Sequence, residues 1–221
     1  MLKRKIFITD DGSSSIKIPE LNENYHSTHG AVQESKHIYI DNGIKYLNKK
    51  NINIFEIGYG TGLNAILSFL ESQKSNIKIN YTSVEKYPLT INEISGLNYF
   101  KLLNFNNDLE NKFIDYNNNK AVKVTNNFLL HKIHIDFTEY NFDKNYDLIF
   151  FDAFAPDIQP KLWTKQIFEK ISNNLNNNGV IVTYSVKGKV KRILKSLNFK
   201  IELPEGPPGK RNMLRAIKTT T

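Results

Sequence analysis

From residue 51 onward, short apolar runs alternate with stretches whose apolar positions recur at helical spacing, so the chain switches repeatedly between strand and helix. Residues 52–57 form the first run. It ends in Gly-Tyr-Gly-Thr-Gly, and residues 63–70 then place apolar side chains on one helical face, which predicts strand, tight loop, helix. Residues 78–84 alternate and run apolar into Glu85, and Pro88 opens the next helical stretch from its first turn, where a missing N–H costs nothing. The Asn-rich stretch 100–127 gives no clear element before residues 121–125 and 128–135, which read as a hairpin joined at Asn126-Asn127. Residues 147–151 read as a buried strand, 162–175 as an amphipathic helix stopped by Asn residues and Gly179, and 180–184 as the next strand. A basic helix over 187–197 and strands over 199–203 and 213–217 complete the series. Strands alternating with helices predict a doubly wound, mostly parallel sheet. The Pro/Gly connection at 204–212 carries no helix, so the last two strands should be antiparallel.

The first 50 residues lack this rhythm. Apolar runs at 5–8 and 37–40 suggest a short β-rich extension packed on the core, leaving 51–221 as the α/β domain. A chain of 221 residues fits one such domain and needs no staple. The absence of Cys excludes thiolate nucleophiles, Cys-type metal centres and a disulfide framework, and the five histidines show no metal-ligand spacing, so no metal is expected. No run approaches the roughly 18 to 20 apolar residues of a membrane helix, and residues 1–11 lack a signal-peptide core, so a cytoplasmic protein is expected. The Asn runs at 117–119 and 176–178 are a compositional habit of the chain, not a sign of disorder. Residues 1–186 hold 20 Lys/Arg and 20 Asp/Glu, whereas 187–221 hold 10 Lys/Arg and 2 acids, so the formal charge of +8 belongs to the last 35 residues. Such a block is either a polyanion-binding surface or a solvated face.

Candidate chemistry gathers at the predicted strand ends. Gly58, Gly60 and Gly62 follow the first strand, where an open α/β sheet binds nucleotides; a dinucleotide fingerprint would want Gly at 63, which is Leu. Glu56, two residues before the first Gly, would repel a pyrophosphate but attract the ammonium of S-adenosylmethionine, directly or through water. Glu85 ends the second strand, where it can accept ribose hydroxyls, and Asp136 ends the third, within reach of an adenine amine. Asp152 ends the fourth and opens Asp-Ala-Phe-Ala-Pro, facing the methyl group to be transferred; it keeps the acid and aromatic of an amine-methylating segment without the paired prolines. Each acid alone could cap a helix, but acids closing four successive strands predict a class I methyltransferase core. An ammonium ion is no nucleophile, so Asp152, or a water it orients, is the candidate proton acceptor, with Phe154 walling the site. Trp163 reads as packing.

The phrases Glu56-Ile-Gly-Tyr-Gly-Thr-Gly-Leu-Asn64, Val84-Glu-Lys-Tyr-Pro-Leu89, Asp152-Ala-Phe-Ala-Pro, Leu162-Trp-Thr164 and Gly209-Lys-Arg-Asn-Met-Leu214 resemble the MnmD-type family over nearly the whole chain. His29-Gly-Ala-Val-Gln-Glu-Ser35 resembles the segment before that family's core. These are tRNA wobble-uridine methyltransferases, also found as the N-terminal half of the bifunctional MnmC enzyme. The resemblance implies methyl transfer from S-adenosylmethionine to the amine of 5-aminomethyl-(2-thio)uridine at position 34 of tRNA. It implies Asp152 as the catalytic residue. It also implies cofactor-binding roles for Glu56, Gly58, Tyr59, Gly60, Gly62, Asn64, Glu85, Lys86 and Asp136. The flavin-dependent oxidase domain of the bifunctional relatives does not fit this length, so no FAD is expected and another enzyme should supply the aminomethyl nucleoside.

Lys187 and Lys189, at the basic helix, and Lys210, Arg211 and Arg215, around the last loop, are candidate contacts to anticodon-stem phosphates, which position RNA without reading sequence. Uridine selection would need a splayed base stacked on an aromatic such as Tyr59, Phe154 or Tyr184. Two other readings use the same sheet: an aminopropyltransferase or small-molecule amine methyltransferase, and a non-catalytic RNA-binding relative. The single acid at 152 and the basic C-terminal block disfavour a polyamine pocket, and the intact glycine loop disfavours a non-catalytic protein.

Overall fold

Strand β4 (Asn51–Ile57) is buried on both faces: Ile52 and Ile54 join one apolar cluster, Phe55 and Ile57 the other. β8 (Tyr146–Phe151) divides in the same way, with Leu148 and Phe150 on the first side and Ile149 and Phe151 on the second. This period of two between two apolar layers is the signature of a parallel strand covered on both faces. The computed structural model describes residues 3–105, 107–115 and 119–220, so Asn117 and Asn118 of the first Asn run lie outside the described residues.

The elements begin with β1 (Lys5–Ile8), β2 (Ser14–Ile18) and β3 (Glu23–Asn24), a small antiparallel sheet. One continuous helix follows: α1 (Ala31–Ser35), a π-helical segment (Lys36–Ile44) and α2 (Lys45–Leu47). After β4 come α3 (Leu63–Ser75), β5 (Lys78–Glu85), three short helices α4 (Ile91–Ser95), α5 (Tyr99–Leu102) and α6 (Glu110–Ile114), then β6 (Ala121–Thr125) and β7 (Phe128–His134). β8, α7 (Lys165–Asn173), β9 (Leu175–Thr183), α8 (Gly188–Ser196), β10 (Phe199–Glu202) and β11 (Leu214–Lys218) complete the chain. The eight-stranded sheet has the order β10-β11-β9-β8-β4-β5-β7-β6. Its central pairs are parallel, β6 pairs antiparallel with β7, and β11 runs antiparallel to both β9 and β10. This is the expected doubly wound sheet with its last strand reversed.

Several local expectations need correction. Residues 37–40 are helical, not part of the β-rich piece: Ile38, Tyr39, Ile40 and Ile44 turn one side of a helix toward the sheet, and a four-residue apolar run has no periodicity to tell strand from helix. Pro88 lies before α4, not in its first turn. Thr90 caps that helix by accepting from Glu93 N while Glu93 accepts from Thr90 N, a reciprocal box that fixes the start three residues upstream of Glu93. The helix expected over 162–175 begins only at Lys165, where Thr164 is the cap, its hydroxyl accepting from Ile167 N. Asn176–178 do not form the stopping loop either. They lie inside β9 beside a register shift against β8, and Asn176 donates to Asp147 at 3.1 Å.

Among the described residues no helix is long and apolar enough to cross a membrane, and no cluster of three or more His, Cys, Asp or Glu side chains could hold a metal.

Candidate active site

The C-terminal ends of β4, β5, β7 and β8 open into a cavity of about 1210 Å³, roofed by residues of the N-terminal extension. This is the side of an open α/β sheet where ligands bind. The glycine loop forms one wall. Gly58, Gly60 and Gly62 have φ of 94°, 50° and 79°, a region costly for any side chain but glycine. A Cβ on Gly58 would stand 2.7 Å from the Asp152 carbonyl oxygen, so the close approach of the two strand ends requires a bare backbone there. Gly58 N and Tyr59 N both donate to Val84 O, which ties the loop to β5.

Glu85 bridges the loop and the next segment: Oε2 accepts from Gly60 N at 3.0 Å and Oε1 from Tyr87 N at 2.8 Å. Each oxygen keeps a further lone pair for a ligand. Asp136 lies just past β7, with Oδ2 accepting from Lys86 Nζ at 2.7 Å and Oδ1 from the Thr138 amide and hydroxyl at 2.9 and 2.8 Å. Burial raises its pKa, but these hydrogen bonds and the Lys86 charge outweigh burial and hold it down to about 2.

Asp152 continues the alternation of β8, and its amide extends the ladder by donating to Ile57 O. Its side chain therefore points to the face covered by the helix of residues 31–47. Oδ1 accepts from the Tyr39 hydroxyl at 2.6 Å and Oδ2 from Asn64 Nδ2 at 2.8 Å. Burial pushes its pKa up to about 7, with the two hydrogen bonds opposing the rise. Glu56 occupies the same face of β4. It is fully buried, accepting from Ser83 Oγ at 2.7 Å and from Asn64 Nδ2 at 3.0 Å. Burial pushes its pKa up to about 8.

The lining contains Gly58, Gly60, Asn64, Glu85, Lys86 and Asp136 of the expected cofactor set, together with Asp152, Phe154 and Lys210. Two members have other tasks. Glu56 is absent from the lining, and burial raises its pKa, which works against the free carboxylate expected for an ammonium; Asn64 stands between it and Asp152. The Tyr59 ring turns into the core, its hydroxyl donating to Phe113 O at 2.8 Å, so only its backbone serves the wall and the ring is no base platform. Gly62 begins α3 behind the wall.

The side of the cavity beside Asp152 is lined by two residues that the sequence did not suggest, Tyr25 and Glu34. Tyr25, from the extension, meets Phe154 edge-on at 5.2 Å and lies against Gly60. Glu34 pairs with Lys210 at 2.5 Å, and the same ammonium sits 4.5 Å from the Tyr184 ring centre. Trp163 is packed between Phe151 and Phe168 and donates to Phe154 O, so it buttresses the motif. Lys187 and Lys189 are exposed at the start of α8, Lys187 paired with Asp157, and Arg211 is exposed outside the cavity. Arg215 is not brought to the site. Its guanidinium is bound by Glu202, donates to Asn42 and stacks 3.7 Å from the Tyr46 ring centre, because its position on β11 faces the helix packed below.

A glycine wall after the first strand, acids at four adjacent strand ends and a reversed last strand together define a class I methyltransferase. The chain belongs to the S-adenosyl-L-methionine-dependent methyltransferase family whose model matches residues 105–219. It is 26% identical over 220 residues to the tRNA 5-methylaminomethyl-2-thiouridine biosynthesis bifunctional protein MnmC of Pseudoalteromonas atlantica, covering 87% of this chain and 30% of that protein. It is 28% identical over 207 residues to the MnmC protein of Leptospira interrogans, covering 86% and 32%. The chain thus spans about a third of the length of these curated relatives. In fold it is similar to MNMC2 from Aquifex aeolicus, with a TM-score of 0.78 at 24% identity over 98% of this chain and 70% of that one.

Proposed function

We propose that the chain methylates the exocyclic amine of 5-aminomethyl-(2-thio)uridine at wobble position 34 of tRNA, giving 5-methylaminomethyl-(2-thio)uridine. The observation that carries this reading is Asp152: a carboxylate at the end of β8, held by two donors on the cavity wall, with a pKa near that of a working general base. The product named by the MnmC relatives is the nucleoside such an amine methylation would yield.

S-adenosylmethionine fits the other half of the cavity, where Gly58 and Gly60 leave backbone bare, Glu85 keeps lone pairs for ribose hydroxyls, and Lys86 and Asp136 border the adenine end. When bound it supplies an electrophilic methyl carbon whose bond to sulfur breaks with the electron pair staying on sulfur. Asp152 accepts the proton of the substrate ammonium, leaving the nitrogen lone pair as nucleophile. Phe154 and Tyr25 hold the base above it, and alignment at roughly 3 to 3.5 Å does the rest. Lys187, Lys189 and Arg211 receive anticodon-stem phosphates, while Lys210, inside the cavity, serves the nucleoside end. Methyl transfer consumes an aminomethyl nucleoside and does not make one, so another catalytic activity supplies the substrate.

Incubation of the protein and labelled S-adenosylmethionine with tRNA lacking this methyl group, followed by nucleoside mass spectrometry, should convert the aminomethyl nucleoside to its methylamino form. No mass gain on that nucleoside would refute the substrate.

A further inference from the structure

The helix of residues 31–47 belongs to the N-terminal extension, yet it reaches the acid at the end of β8. Gly43 lets the helix lie against the sheet: a Cβ there would meet the Phe150 ring at 3.2 Å and Leu148 and Val182 at 3.4 Å. Four residues earlier on the same side, Tyr39 packs its ring 4.9 Å from that of Phe150 and is 2% exposed. Its segment is wound as a π-helix, a form that recurs at functional sites. A phenylalanine would fill this space as well, and a buried hydroxyl costs stability unless it is bonded. The hydroxyl donates to Asp152 Oδ1 at 2.6 Å.

We propose that Tyr39 is a positioning residue for Asp152, fixing with Asn64 the rotation of the carboxylate and favouring its ionised form, so that the N-terminal extension completes the active site. This rests on the reading of Asp152 as the proton acceptor. In that step a proton passes from substrate nitrogen to an Asp152 oxygen, the N–H pair remains on nitrogen, and Asp152 later returns the proton to water. Burial and the Asp152 charge raise the Tyr39 phenol well above its ordinary pKa, so it stays a donor throughout the working range.

Other groups also face Asp152. Glu34, on the same helix, disfavours its charge and Lys210 from the last loop favours it, while the Asp152 charge in turn raises the pKa of Glu56, on β4 behind Asn64. The phenols of Tyr184, after β9, and Tyr81, on β5, feel it in turn. Lys210 is already paired with Glu34, so the neutral donors Tyr39 and Asn64 are left as the main support of the carboxylate.

The test is Tyr39→Phe, which keeps the ring and its packing. In the ligand-free protein, the Asp152 carboxyl followed by 13C NMR should titrate about one unit higher, the scale of one missing hydrogen bond to a charged group. The acid limb of the kcat/KM profile on aminomethyl-tRNA should move up by the same amount, kcat should fall, and S-adenosylmethionine affinity should stay unchanged. An unmoved carboxyl midpoint would overturn the proposal, as would a loss of activity uniform in pH together with abolished cofactor binding. A raised midpoint in a protein whose wild type leaves that tRNA unmethylated would sustain the Tyr39 contact and refute the substrate instead.

Discussion

The two halves of the cavity are built by different means. The half proposed for the cofactor is assembled over shorter separations: Gly58 to Gly62 follow β4 directly, Glu85 bonds Tyr87 two residues on and Gly60, 25 residues back, and Asp136 bonds Thr138 two residues on and Lys86, 50 residues back. The half proposed for the substrate is assembled across the sequence. Tyr39 meets Asp152 from 113 positions away, Asn64 from 88, and Glu34 meets Lys210 from 176. A half built locally can keep its ligand geometry when its neighbour is damaged, while a half built from distant segments depends on several elements docking correctly.

Asp152→Ala and Glu85→Ala should separate the halves most widely. The first should lower turnover on aminomethyl-tRNA by about 10²- to 10⁴-fold, the usual worth of a general base, with S-adenosylmethionine affinity nearly retained. The second should weaken S-adenosylmethionine by about 10- to 100-fold by removing the charged hydrogen bonds at the glycine loop, with turnover at saturating cofactor much less affected. Calorimetric affinities beside single-turnover rates would check both. Parallel losses of affinity and rate in both variants would mean that the cavity does not divide in this way.

This division also sets what the sequence could disclose. The glycine loop and the acids at strand ends are read from spacing alone, because strand periodicity fixes where each strand stops and the next residues face the ligand. Asp152 was legible for the same reason. Its donors were not: Tyr39 sits in a short apolar run that reads equally well as strand, and only the docking of Gly43 on β8 and β9 shows which way it points. Glu56 is legible in its place but not in its surroundings. Its position before the glycines suggests a charged ligand contact, but the pleat turns it inward, where Ser83 and Asn64 bind it and burial favours its neutral form. Arg215 belongs to the basic block by composition, yet the face of β11 on which it falls gives it to Glu202 and Tyr46.

The basic block can therefore be divided by experiment. Replacing Lys187, Lys189 and Arg211 together by Ala should weaken tRNA binding several-fold near physiological salt and flatten the dependence of log Kd on log salt by up to about 0.7 to 0.9 for each phosphate left unneutralised. Arg215→Ala should lower the melting temperature and leave that slope unchanged, since its charge is used within the fold. Filter binding across a salt series would read both. A slope that responds to Arg215 and ignores the other three would place the RNA on the opposite face from the one proposed.

The smallest effect lies at the seam between the halves, where Asn64 donates to both Glu56 and Asp152. Burial raises Glu56 from an ordinary carboxyl value of 4.5 to about 8. Between those values the folded chain holds a proton that the unfolded chain has released, so this contribution to stability is complete below about pH 4.5 and disappears as pH rises through about 8. Glu56→Gln keeps the shape and stays neutral. Asp152, raised in the same sense, titrates in both proteins, so the part of its shift that is independent of Glu56 cancels in their difference and the remainder belongs to the coupled pair. The melting temperature of wild type minus that of the variant should therefore fall with rising pH, by at most about 2 to 6 °C per unit inside the window, since one unit corresponds to about 1.4 kcal/mol. A difference that is flat from pH 5 to 8 would mean that Glu56 is ionised in the folded protein. It would then be free to serve the cofactor half as a charge instead of joining the two halves as a neutral acid.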